Sequence, residues 1–117
     1  MSENGEFLLL KAIAAEVIND LWKSEFYNDA EDYILYRDPQ SKTNPKTEEE
    51  IDQANQEIAR VKDELVDVIV EDFVDNDIKT IGDVTQKYAT VREICHKRFG
   101  EYRRRLWGAI KPRFSTE

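Results

Sequence analysis

Apolar residues recur at helical spacing through most of this 117-residue chain. The clearest stripe advances by alternating steps of three and four residues, the a/d pattern of a heptad repeat, until Asp72 interrupts it. Its members are Ile51, Ala54, Ile58, Val61, Leu65 and Val68. The stripe predicts a long central helix over about 47–75 that packs within one bundle. The alternative is self-association of two chains through Ile51, Ile58 and Leu65.

A repeated capping pattern marks where helices begin. In a capping box, a Thr hydroxyl and an acidic side chain three residues later each bind an unpaired backbone N–H group. Three such pairs occur in the chain, namely Thr47 with Glu50, Thr80 with Asp83 and Thr90 with Glu93. They predict helices that start near residues 47, 80 and 90.

The predicted helices account for most of the chain. They are expected at 6–23, 28–37, 47–75, 80–88 and 90–110, with Asn28 or Asp29 capping the second and Lys111-Pro112 ending the last. Residues 1–5 are predicted to be a frayed terminus, and 39–46, with two prolines and no aliphatic side chain, a loop. We therefore expect a single all-α domain over 1–117, a bundle of four or five helices whose core comes from the first, third and last.

Composition favours the same fold class. Four Gly and three Pro are too few for the frequent turns of a β-sandwich or barrel, and 40% hydrophobic residues can fill a modest core. The longest uncharged apolar stretch near the N-terminus, Phe7–Leu10, is far shorter than the ~20 residues of a membrane span. With a single cysteine, the chain is expected to be soluble and cytoplasmic, without contact to membranes.

Charge is distributed very unevenly along the chain. Residues 1–77 hold 21 acidic and 7 basic side chains, whereas residues 78–117 hold 4 acidic and 10 basic ones. The whole-chain net charge of −8 therefore hides an acidic part and a basic part. Two interpretations stay open: the two parts neutralise each other in the fold, or each offers a face to a different partner.

The basic part indicates contact with nucleic acid. Thr80–Phe99 resembles the helix-turn-helix of repressor proteins, with Thr85 at the usual alanine position, Ala89 at the glycine position and Cys95 at a buried one, although Arg98 stands where a second buried residue is expected. The resemblance implies a recognition helix in the major groove. The candidate contacts are Arg92, His96, Lys97, Arg98, Arg103, Arg104 and Arg105. The alternative is a pair of packed helices with a solvated basic face.

Residues for catalysis or metal binding are sparse. Cys95 and His96 are neighbours on a helix and point about 100° apart, so they form no dyad, and a packed thiol is the expected role of Cys95. One histidine cannot supply the paired Glu-x-x-His motifs of a di-iron bundle. We expect no enzyme activity, no metal and no cofactor.

The long helix suggests a second function. Asp63, Asp67, Glu71 and Asp75 follow one another at steps of four residues and lie along one side of the helix. Such a surface can occupy a basic groove on a partner protein. The sequence therefore predicts a small regulatory binding protein that contacts nucleic acid through its basic C-terminal helices or, alternatively, an acidic adaptor or inhibitor, possibly of viral or mobile-element origin, that binds a protein.

Overall fold

Helices form most of the chain, and the all-α bundle is confirmed. The computed structural model describes the backbone of residues 2–110 and the side chains of residues 5–110. The elements, in chain order, are helix α1 (Ser2–Leu21), a π-helical turn (Trp22–Phe26), helix α2 (Tyr27–Leu35), strands β1 (Tyr36–Asp38) and β2 (Thr43–Pro45), and helices α3 (Glu48–Asp75), α4 (Ile81–Gln86) and α5 (Tyr88–Ile110). The expected helix stop at Lys111-Pro112 lies outside the described residues.

Two of the predicted capping boxes are present with both of their hydrogen bonds. Thr47 accepts from the backbone N–H of Glu50 while the Glu50 carboxylate accepts from that of Thr47, and Thr80 and Asp83 form the same arrangement at α4. The third prediction is wrong, because α5 begins at Tyr88 and contains Thr90. The N–H of Val91 is already bonded to the carbonyl of Lys87, so the helix needs no cap at Thr90.

The first two helices differ from the prediction. Neither Asn28 nor Asp29 caps a helix start, because the π-helical turn carries α1 into α2 without a break. The turn places Phe26 in the core, where its ring stacks on Trp22 at 4.7 Å and lies 4.9 Å from Trp107. Helix α1 also starts earlier than predicted, at Ser2 instead of residue 6, while fraying of residues 1–5 stays a prediction.

Residues 39–46, predicted as a loop, contain β2 and the turn of a small antiparallel hairpin. Strand β1 pairs with β2 in the register Tyr36 to Pro45 and Asp38 to Thr43. Lys42 and Asn44 adopt φ near 57°, and the Asn44 amide donates to the Asp38 carboxylate. The strands are three residues long and β2 is fully exposed, so no apolar alternation marks them in the sequence. Arg37, expected at the end of a helix, lies in β1.

The core lies between α1, α3 and α5, as predicted. Ile58 and Leu65 are buried there, and Ile51 packs against the cluster, so the heptad stripe serves the bundle and is not free for a second chain. Lys11 pairs with Asp67 while Lys62 binds Asn19, which makes α1 antiparallel to α3. The ion pairs of Arg98 with Asp72 and of Arg105 with Glu64 show that α5 is likewise antiparallel to α3. The end of α3 and the start of α5 therefore share one end of the bundle, the α4 end, and α1 also packs against α4.

Candidate functional site

Helix α5 carries the predicted nucleic-acid contacts, and its inner face is fixed by the core. Val91, Cys95 and Phe99 are almost completely buried, and Leu106 and Ile110 continue the same face. Burial raises the pKa of the Cys95 thiol to about 12, so at neutral pH it is a packed, protonated group, as predicted. Since successive residues on a helix turn by about 100°, the basic side chains divide between two flanks and an outer crest.

The flank that faces α3 is neutralised by carboxylates of that helix. Arg98 binds Asp72 through two hydrogen bonds of 2.6 and 3.1 Å and also reaches Glu101 at 3.0 Å. The Asp72 hydrogen bond raises the pKa of Arg98 further above its ordinary value. Arg105 pairs with Glu64 at 2.6 Å. Both arginines are therefore held by side chains of the bundle itself.

The opposite flank of α5 faces the π-helical turn. His96 Nε2 lies 3.0 Å from a carboxylate oxygen of Glu25. The Arg103 guanidinium lies over the rings of Phe26 and Phe99, at 5.6 and 5.9 Å from their centroids, and donates to the Glu25 carbonyl. A hydrogen bond with the Tyr88 hydroxyl raises the pKa of Arg92. On this flank His96 and Arg103 therefore contact another element of the bundle, whereas Arg92 is exposed and its hydrogen-bond partner is neutral.

Only the crest of α5 presents positive groups without a partner among residues 5–110. Lys97 and Arg104 are exposed there, and Glu93 lies on the same side. Of the seven predicted contacts, Lys97 and Arg104 on the crest and Arg92 on the flank are thus exposed with no ion pair in the described part of the chain. Contact with nucleic acid stays a prediction, but the continuous, unneutralised basic face that it requires is interrupted.

The helix pair that resembles a helix-turn-helix is present with a different connection. Helix α4 has six residues and joins α5 through Lys87 alone, whereas helix-turn-helix proteins use a turn of three or four residues. Thr85, at the alanine position of the resemblance, is exposed and bonds back to the Ile81 carbonyl. Arg98, at an expected buried position, is half-buried against Asp72.

The acidic residues of α3 are arranged differently. Asp63, Asp67, Glu71 and Asp75, here called the acidic ridge, are all exposed, and four-residue steps place them ~6 Å apart along the helix axis. Asp67 pairs with Lys11 at 3.3 Å, and its side chain keeps 61% of its exposure. Among residues 5–110 the other three have no ion pair. The structure therefore brings this predicted set together on one open surface.

The end of the ridge opposes the dipole of its own helix. A helix C-terminus carries partial negative charge and favours Lys, Arg or His in the last turn. The last turn of α3 contains no basic residue, and Glu71, Asp72 and Asp75 stand at or near it. Asp72 is compensated by Arg98, while Glu71 and Asp75 have no such partner in the described part of the chain. This mismatch is visible in the sequence, but the prediction considered only the row of carboxylates.

A groove lies at the other end of the bundle, between the hairpin, α3 and the end of α5. It has a volume of about 900 Å³ and is lined by Tyr33, Tyr36, Arg37, Glu50 and Arg60 among others. Its charged groups are satisfied locally, since Arg37 binds Glu50 at 2.9 Å and Arg60 binds Glu57. Neither Cys95 nor His96 lines this groove.

Neither the metal-ligating side chains, nor the helix lengths, nor the comparisons with known proteins indicate a function for this chain. Within residues 5–110, no group of three metal-ligating side chains is placed to hold an ion. No helix in that range combines the length and the apolar composition needed to cross a bilayer. Comparison of the chain with protein families, with curated proteins and with solved structures gave no match.

Proposed function

We propose that this protein is a non-enzymatic binding protein that presents the acidic ridge of α3 to a basic surface on a partner protein. One observation carries the proposal. Glu71 and Asp75 are exposed, have no ion pair within residues 5–110 and stand against the dipole of their helix, while most cations of α5 are bound by the bundle.

The acidic ridge lowers the stability of the helix that carries it. Like charges at four-residue spacing destabilise a helix by about 0.2–0.5 kcal/mol per pair, and acidic groups at a C-terminus add a similar penalty. Features that lower stability are found where function requires them. A cationic partner removes both penalties when it binds, and the same field increases its rate of association.

Nucleic acid is the less favoured partner. A protein with high affinity for DNA can neutralise about 6–10 phosphates, whereas α5 offers three exposed cations without an ion pair among residues 5–110, namely Arg92, Lys97 and Arg104. The ridge repels phosphate as well. Binding to a DNA duplex is therefore not proposed, but the experiment below measures it.

The experiment uses the full chain and an unstructured peptide of alternating Lys and Gly as the probe. Calorimetry measures its affinity for the wild type, for a ridge variant (Glu71→Lys with Asp75→Lys) and for a control variant (Asp29→Lys with Asp52→Lys). The control residues are exposed and lie toward the hairpin end of the bundle. Both variants change the net charge equally, so they separate position from total charge.

We expect salt-sensitive binding that falls about tenfold or more in the ridge variant and less than about threefold in the control. Equal losses in the two variants would assign the binding to net charge and overturn the proposal. A labelled random-sequence DNA duplex at low salt is the second probe. Tight binding of that duplex, abolished by Lys97→Glu with Arg104→Glu, would also overturn it and favour the nucleic-acid hypothesis.

A further inference from the structure

Six large apolar side chains of the described residues are exposed. Within residues 5–110 they are Phe7, Leu8, Leu9, Val74, Ile81 and Tyr88, each at least 40% exposed. Phe7, Leu8 and Leu9 lie at the start of α1, Val74 at the end of α3, Ile81 at the start of α4 and Tyr88 at the start of α5. Val74, Ile81 and Tyr88 belong to the α4 end, and α1 packs against α4.

The α1 and α3 members of this group, Phe7, Leu8, Leu9 and Val74, are here called the end patch. Leu8 keeps 64% of its exposure and Leu9 49%, although both are leucines inside a helix. Apolar groups that cluster at a surface with a polar rim mark interaction sites more often than scattered ones do. The buried face of α1, which starts with Leu10, does not include Leu8 or Leu9.

The end patch adjoins the acidic ridge. The Lys11 ammonium lies 5.9 Å from the centroid of the Phe7 ring and 3.3 Å from Asp67, so this one side chain links the two surfaces. On α3, Val74 follows Glu71 by three residues and Asp67 by seven, which places it on the same side of the helix as both. Phe7 and Leu8 lie on either side of Lys11 around α1 and therefore adjoin the ridge, whereas Leu9 points about 160° away from Lys11.

We propose that the partner element is a cationic amphipathic helix whose apolar face covers the end patch while its Lys or Arg residues bind Glu71 and Asp75. This inference rests on the proposed function and names the chemistry of the partner. Charge complementarity selects it, because a helix with a basic polar face satisfies the unpaired carboxylates beside the apolar groups. A second copy of this chain is disfavoured, since it would bring one acidic rim against another.

The experiment compares two peptides of identical composition, each about 18 residues of Leu and Lys. One has Leu at helical spacing, which gives a single apolar face, and the other has the same residues scrambled so that no face forms. Calorimetry measures both peptides against the wild type, a patch variant (Leu8→Ser with Leu9→Ser) and a control (Ala12→Ser) that changes an exposed position of the same helix. Circular dichroism checks that the variants fold.

We expect the amphipathic peptide to bind the wild type and the control about tenfold or more tightly than the scrambled one. The patch variant should lose that preference and keep the salt-sensitive binding of both peptides. Equal binding of the two peptides to the wild type, still sensitive to Glu71→Lys with Asp75→Lys, would overturn this inference and leave the proposed function intact.

Two further outcomes would also overturn the inference. If both peptides bound the ridge variant as tightly as the wild type, the proposed function would be contradicted and, with it, the partner inferred here. Sedimentation of the wild type as a dimer that becomes a monomer in the patch variant would assign the end patch to a second copy of the chain.

Discussion

Helices α3 and α5 carry opposite charges and use them in opposite ways. The arginines of α5 lie on its flanks, where Arg98 and Arg105 meet carboxylates of α3 and Arg103 packs on aromatic rings. The ridge carboxylates of α3 lie on a side where Lys11 is their only partner among residues 5–110. The net charge of a segment thus says little about which charges are available to a partner.

The difference follows from the position of each helix. α5 packs against both α3 and α1, and its two flanks face Asp72 and Glu64 on one side and the π-helical turn with Glu25 on the other. Cations on either flank therefore meet acids of a neighbouring element. Glu71 stands one heptad after Glu64 and so lies on the same side of α3, but among residues 5–110 no basic side chain of α5 pairs with Glu71 or Asp75. Neutralisation is decided by packing geometry and not by the number of charges.

The largest effect should come from breaking the bidentate pair of Arg98 and Asp72. We expect Arg98→Ala to lower the free energy of unfolding by about 1 kcal/mol, because both hydrogen bonds are charge-assisted and half-buried. Arg104→Ala, on the crest of the same helix, should change it by less than about 0.5 kcal/mol. Urea unfolding followed by circular dichroism measures both.

A double-mutant cycle identifies the cause of that loss. If the pair is responsible, Arg98→Ala should have little effect in an Asp72→Ala background. Equal losses for Arg98→Ala and Arg104→Ala would show that the flank and the crest do not differ, and the contrast between neutralised and open charges on α5 would then be wrong.

Local features of the chain were predictable from the sequence. The stripe from Ile51 to Leu65 is buried or packs against the core, and the capping box at Thr47 is present, while Val68 at the end of the stripe is only half-buried. Both features depend on residues close in sequence. The buried thiol of Cys95 also follows from its place on an apolar stripe. Periodicity and capping are short-range properties, so a single sequence contains them.

The partners of charged groups were not predictable in the same way. Arg98 and Asp72 are 26 positions apart, and their pairing depends on how α5 settles on α3. The sequence pattern did not predict the hairpin, because its strands are only three residues long. It did not predict the π-helical turn either, because the residues of that turn also suit an ordinary helix. The end patch requires knowledge of which helix ends meet. Long-range packing, which the sequence pattern leaves open, decided each of these.

A smaller effect of opposite sign is expected at the ridge. Replacing either Glu71 or Asp75 by Lys should raise the free energy of unfolding by about 0.3–0.5 kcal/mol, since it removes like-charge repulsion and matches the helix dipole. Asp52→Lys, an exposed acidic position far from the C-terminus of α3, should give no such gain. Thermal unfolding at low and high salt measures the difference, which should shrink as salt screens the charges. A loss of stability on charge reversal would mean that the ridge supports the fold.

The smallest expected effect is a pH dependence of stability that differs between the two ends of α3. Hydrogen bonds from the Thr47 backbone and from Arg37 hold the pKa of Glu50 below its ordinary value. A lowered folded-state pKa gives stability that is present above the unfolded value, near 4.3, and is lost as pH falls through the folded one. Glu50→Gln should therefore destabilise the protein at pH 7 and approach the wild type in acid, whereas Glu71→Gln at the other end should not destabilise it at pH 7. If Glu50→Gln were as much less stable than the wild type in acid as at pH 7, its loss of stability would come from packing and not from charge at the helix start.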